Sequence, residues 1–137
     1  METYKFIDDI TSDVIFEAYG AELKDVFTNA AMALSSMICK LDQISTEKEI
    51  KIEVQGTSLE DLMINWLQAI IANVDIEEMF FCKFTITEID DTHLVAFVKG
   101  EEVSPEKGET VVKAVTYHQY KFEKTDDGFM CRISLDI

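Results

Sequence analysis

The chain has 137 residues, with 27 Asp and Glu against 12 Lys and Arg and a formal net charge of −15. A hydrophobic fraction of 47% belongs to a packed domain and not to a disordered acidic tail. The negative excess excludes broad nucleic-acid binding and binding to an anionic membrane surface, since both rely on Lys and Arg; it favours cations and basic partner surfaces.

The N-terminal run Met1-Glu2-Thr3-Tyr4-Lys5 has no basic region followed by an apolar stretch, so no signal peptide is expected. Phe6-Ile7-Asp8-Asp9-Ile10-Thr11-Ser12-Asp13 is a polar interruption of an apolar segment. Its carboxylates are hard oxygen donors of the kind calcium and magnesium take, but the spacing alone favours a solvated turn. Val14, Phe16 and Ala18 alternate with Ile15, Glu17 and Tyr19 as in a strand. From about Ala21 to Cys39, apolar residues recur at the spacing of one helix face: Leu23, Val26, Phe27, Ala30, Leu34, Met37 and Ile38. Ile50, Ile52 and Val54 mark a half-buried strand.

Thr57-Ser58-Leu59-Glu60 reads as a helix start, with Thr57 as cap and Glu60 reaching back. The helix it opens runs to about Val74. Its wide stripe, Leu59, Leu62, Met63, Trp66, Leu67, Ile70, Ile71 and Val74, predicts the more deeply buried of the two helices. Phe81–Ile89 and His93–Lys99 form a hairpin around Asp90-Asp91-Thr92, followed by a charged loop from Gly100 to Thr110. Val111 to Glu123 is β-rich, and Phe129 to Ile137 alternates to the last residue. Asp127-Gly128 between them is a hairpin signal. A tight turn there makes facing residue numbers sum to about 255, which sets Ile137 opposite Thr116-Tyr117-His118. The fold class is α+β: one domain over residues 1–137, with mixed or antiparallel sheets packed against two main helices.

Three cysteines, Cys39, Cys82 and Cys131, give an odd count without a CxxC pair. They read as buried thiols in a reducing compartment, and no apolar stretch approaches the ~20 residues of a membrane span, so the expected location is cytoplasmic. No nucleotide-binding glycine loop, nucleophile elbow, HExxH or EF-hand loop is present, so the chain is not expected to be an enzyme. Lys113 and His118 are the functional candidates on their strand. Each also has a plain reading, as an outward lysine and as a hydrogen-bonded histidine on a half-buried face.

Four stretches in order resemble the archease family. They are Thr11-Ser12-Asp13-Val14 with Glu17-Ala18-Tyr19-Gly20, the helix from Leu23 to Leu34, Lys113-Ala114-Val115-Thr116-Tyr117-His118, and the final Asp136-Ile137. Val54-Gln55-Gly56, Leu59-Glu60-Asp61-Leu62 and Trp66-Leu67 fit as well. The chain departs from the family pattern at Ile10, where a histidine is usual, at Ser12 in place of Ala, and around Asp8-Asp9. The resemblance implies a non-enzymatic accessory factor of the 3′-phosphate RNA ligase RtcB, promoting its guanylylation and turnover in tRNA splicing and RNA repair. It implies a divalent cation, with calcium as the expected ion, held by Asp13, Asp136 and Ile137. It assigns ligase activation to Lys113 and leaves Thr11 and His118 as supporting residues. Three other readings are a chaperone-like modulator of an RNA cytosine-5 methyltransferase or another basic RNA-processing partner, a metal-dependent hydrolase built on Asp13, Asp136 and His118, and a purely structural acidic domain.

Overall fold

The computed structural model describes residues 3–7 and 14–137. Seven strands and two long helices follow one another as β1 (Tyr4–Ile7), β2 (Val14–Gly20), α1 (Leu23–Ile38), β3 (Lys48–Gln55), α2 (Leu59–Ile76), β4 (Met79–Ile89), β5 (His93–Glu102), β6 (Ala114–Thr125) and β7 (Gly128–Asp136). Short 3₁₀ turns stand at Leu41–Gln43 and Pro105–Lys107. The strands form two sheets, ordered β1-β2-β7-β6 and β3-β5-β4. Every pairing is antiparallel, so the α+β expectation narrows to purely antiparallel sheets.

Both helices pack on both sheets, α1 chiefly on β2 and β4, α2 on β6 and β3. The helix spacing read from the sequence holds, but the ranking of burial reverses. Of the 16 residues of α1, eight are buried; of the 18 of α2, seven are. The reason is the small face Ala30, Ala31 and Ala33, which lets α1 lie close against its neighbours with none of the three exposed. The helices are tied together where the buried indole Nε1 of Trp66 donates to the Phe27 carbonyl at 3.0 Å.

The start of α2 is shifted by one residue from the expected cap. Ser58 is the cap, accepting from the Asp61 N–H at 3.2 Å, and Asp61 Oδ2 in turn accepts from the Thr57 N–H at 2.9 Å. Two hydroxyl residues and two acids adjoin here, and the pair one step along captures the free amides. Two further differences are local. Cys82 is half-buried, while Cys39 and Cys131 are buried as expected. Strand β5 extends through Gly100 to Glu102, so the charged loop starts later than its composition suggested. Gly100 is in a strand because its Cα lies against the Phe80 backbone, where a Cβ has no room. Among the described residues, no helix is long and apolar enough to cross a membrane.

Candidate functional site

The hairpin β6–β7 turns where Asp-Gly predicted. Thr125 faces Gly128, and Gly128 takes φ +140°, a conformation L side chains rarely adopt. The register is regular as far as Lys121 opposite Arg132 and then breaks. The next pair is Thr116 opposite Ser134: five positions on β6 against two on β7, which leaves three extra residues in a bulge. Gln119 within it has φ +53°.

The bulge changes which residues meet at the end of β7. Asp136 faces Ala114, and the Lys113 N–H donates to the Asp136 carbonyl at 2.7 Å. The expected apposition of Ile137 with Thr116-Tyr117-His118 is therefore wrong by the length of the bulge. The structure instead brings Lys113, at the other end of the same motif, to Asp136-Ile137. Lys113, Asp136 and Ile137 are all exposed. His118 is exposed too, not on a half-buried face. It stands inside the bulge, away from the ladder position that faces Asp136, with its ring Nε2 at 3.3 Å from Gln119 Nε2.

Asp13 and Thr11, like Asp8 and Asp9, lie outside the described residues. Val14, the residue after Asp13 in the chain, faces Leu135. Among the described residues, no three His, Cys, Asp or Glu side chains gather to hold a metal ion. The donors at the end of β7 nevertheless suit a hard cation in kind, since Asp136 offers an exposed carboxylate and no sulfur or imidazole ligand is involved. The Asp136 carbonyl is already engaged by Lys113.

Several residues that the sequence reading did not single out hold this corner in place. The Ser134 hydroxyl, fully buried, donates to the His118 carbonyl at 2.6 Å and so secures the bulge from β7. From α2, Gln68 Oε1 accepts the Val115 N–H at 3.2 Å. On the far side of the bulge, the Tyr120 hydroxyl donates to the Glu60 carbonyl at 2.6 Å. Arg132 donates from Nε and Nη2 to Glu17 Oε2 at 2.9 and 2.7 Å and reaches Gln119 Oε1 at 3.5 Å. Burial pushes the Glu17 carboxyl up, but hydrogen bonds from Tyr19 and Arg132 and the nearby positive charges of Arg132 and Lys5 outweigh it and hold the pKa below the ordinary value. The available signal for this pair was a lone Glu in the apolar strand β2 and a lone Arg in β7.

Two antiparallel sheets packed with two helices, with an exposed lysine bonded through its backbone to an exposed acidic strand end, define a small acidic α+β domain. The model of the Archease protein family matches residues 4–137, and the chain belongs to the archease family. It is 35% identical to the protein archease of Methanosarcina acetivorans, over 98% of this chain and 95% of that one. It is 32% identical to the protein archease of Sulfolobus acidocaldarius, with both chains covered in full. Among solved structures, the solution structure of Methanobacterium thermoautotrophicum protein 1598 matches with a TM-score of 0.82 and 31% identity over the whole of both chains. The crystal structure of an archease from Thermotoga maritima, described as a possible chaperone, matches with a TM-score of 0.69 at 20% identity over 96% of this chain and 95% of that one, a likeness of fold.

Proposed function

We propose that this protein activates an RtcB-type RNA ligase, promoting formation of the ligase–GMP intermediate and multiple turnover in tRNA splicing and RNA repair, without being a catalyst itself. The observation that supports the reading is the 2.7 Å hydrogen bond from the Lys113 backbone to Asp136. It joins the strand motif that the family resemblance ties to ligase activation to the one it ties to cation binding. Asp136, Ile137 and Asp13 would hold the divalent cation, calcium being the expected ion. When bound, that ion supplies positive charge for phosphate oxygens. The exposed Lys113 ammonium offsets charge on a phosphate or pairs with a carboxylate of the ligase. The net charge of −15 steers the domain toward a basic, RNA-binding cleft, an effect on association rate that salt screens.

The test is accumulation of the covalent ligase–GMP adduct from GTP, with and without this protein. Wild type accelerates it, and Lys113→Ala, Asp136→Ala and Asp13→Ala each remove most of the acceleration. Stimulation by all three variants equal to wild type overturns the assignment.

A further inference from the structure

At the end of the molecule where both helices stop, an open groove of about 530 Å³ runs between the last turns of α1 and α2 and the segment 103–112. Its apolar lining includes Ile71, Val74, Phe80 and Val103. Its walls are fixed by the main chain. The Val103 N–H donates to the Glu78 carbonyl at 2.9 Å, and the N–H groups of Glu109 and Thr110 donate to the carbonyls of Ile38 and Met37 at 2.9 and 3.0 Å. The groove is thus preformed and not a gap under a loose loop.

Two observations say what it takes. The first is exposed apolar surface. Among the described residues, six large hydrophobic side chains are exposed, and three of them belong to this end: Val103 at 40%, Val111 at 81%, and Ile76 in the last turn of α2 at 72%. Their concentration marks an interaction surface. The second is the sign of the rim. Asp75, Glu78 and Glu109 line the groove, and no Lys or Arg does. Neither helix carries a basic residue in its last turn, so the negative ends of both helix dipoles face this region without a compensating side-chain charge. Nearby cations are engaged: Lys107 with Glu101 at 3.0 Å, and Lys40 with the Glu106 carbonyl at 2.9 Å. A second copy of this chain is a poor occupant, because each copy brings a charge of −15 and the same acidic rim.

We infer that this groove docks a basic amphipathic segment of a partner protein, with an apolar side chain seated between Ile71, Val74, Phe80 and Val103 and flanking Lys or Arg residues reaching Asp75, Glu78 and Glu109. The inference does not depend on what the partner does, and its test uses no ligase.

The probe is a fluorescein-labelled peptide of Leu and Lys, with Leu at i, i+3, i+4 and i+7, titrated with the full chain and followed by anisotropy and by amide chemical-shift mapping. A Leu/Glu peptide of the same pattern is the counter-probe. The expected result is micromolar binding of the Lys peptide, with shifts concentrated at residues 74–78 and 103–112, and no binding of the Glu peptide. Val103→Arg, which places a cation in the groove, weakens binding about tenfold or more. Thr85→Arg, the same charge change at an exposed position of β4, weakens it less than about threefold. A thermal melt of each variant verifies folding. Equal weakening by both substitutions, shifts spread over the whole acidic surface, equal binding of the Glu peptide, self-association through the groove, or no binding of the Lys peptide would each overturn the inference.

Discussion

Arg132→Ala removes the clamp that joins β2, β7 and the bulge of β6. Glu17, 7% exposed, then keeps its charge with, among the described residues, the Tyr19 hydroxyl at 2.7 Å and Lys5 at 4.0 Å as side-chain partners. Breaking a fully buried ion pair from one side costs about 3–5 kcal/mol. The Arg132 side chain is 28% exposed, so water reaches the vacated space and the expected cost is lower, about 2–4 kcal/mol. Trp66, fully buried and the one tryptophan, reports unfolding by its fluorescence. In urea the midpoint should fall by roughly 1–2 M. The pH dependence carries the sign. The folded Glu17 pKa lies below its ordinary value of 4.5, so its contribution is present above that value and is lost as pH falls through the folded pKa. The gap between wild type and Arg132→Ala should therefore close on acidification. Adding Glu17→Gln to Arg132→Ala should recover part of the loss at neutral pH, since a neutral amide is cheaper to bury than an unpaired carboxylate. A loss under about 1 kcal/mol that is independent of pH would refute the argument, because it would mean that water already solvates Glu17.

Other outcomes follow from the same geometry. Gly128→Ala forces a Cβ into a φ of +140° and against the Gly20 backbone, and should cost about 2 kcal/mol or more in chemical denaturation. Ser134→Ala frees the His118 carbonyl and should lower stability by about 1 kcal/mol while slowing nothing in refolding beyond that loss; a neutral effect would mean the bulge is held without Ser134. His93 hydrogen-bonds Glu53 at 2.7 Å, and that bond raises its pKa above the ordinary 6.5. Its contribution is complete below 6.5 and disappears as pH rises through the raised value. Histidine titration by NMR should show His93 returning toward 6.5 in Glu53→Gln, and an unchanged midpoint would contradict the pairing.

The parts of the fold that periodicity governs were legible in the sequence. The stripes of α1 and α2 and the alternation in β3 each follow from a single buried face, whereas β4, β5 and β7 alternate only in part, each burying three consecutive residues, Met79 to Phe81, Leu94 to Ala96 and Ile133 to Leu135. What periodicity does not govern was hidden. The small-residue face of α1 hid its depth, because alanine weighs little in a stripe and matters through close approach. The bulge in β6 was invisible because Tyr117-His118-Gln119-Tyr120 has strand-like composition. Only three-dimensional partners, Ser134 from β7 and the backbone of Glu60 from α2, select the looped form. That one irregularity decides the candidate site, since a regular hairpin sends Lys113 past the end of β7 and the bulge brings it to Asp136. The family likeness named Lys113, Asp136 and Ile137 without showing that they adjoin. For Lys113, Asp136 and Ile137 the chain supplies the adjacency; Asp13 lies outside the described residues.

The most direct measurement is multiple-turnover RNA ligation by an RtcB-type ligase with sub-stoichiometric amounts of this protein. Lys113→Ala is compared with Lys121→Ala, an exposed lysine within β6 on the other side of the bulge from Lys113. The account predicts that wild type and Lys121→Ala sustain turnover while Lys113→Ala stalls after about one round. Equal turnover with both variants, or none even with wild type, would contradict it.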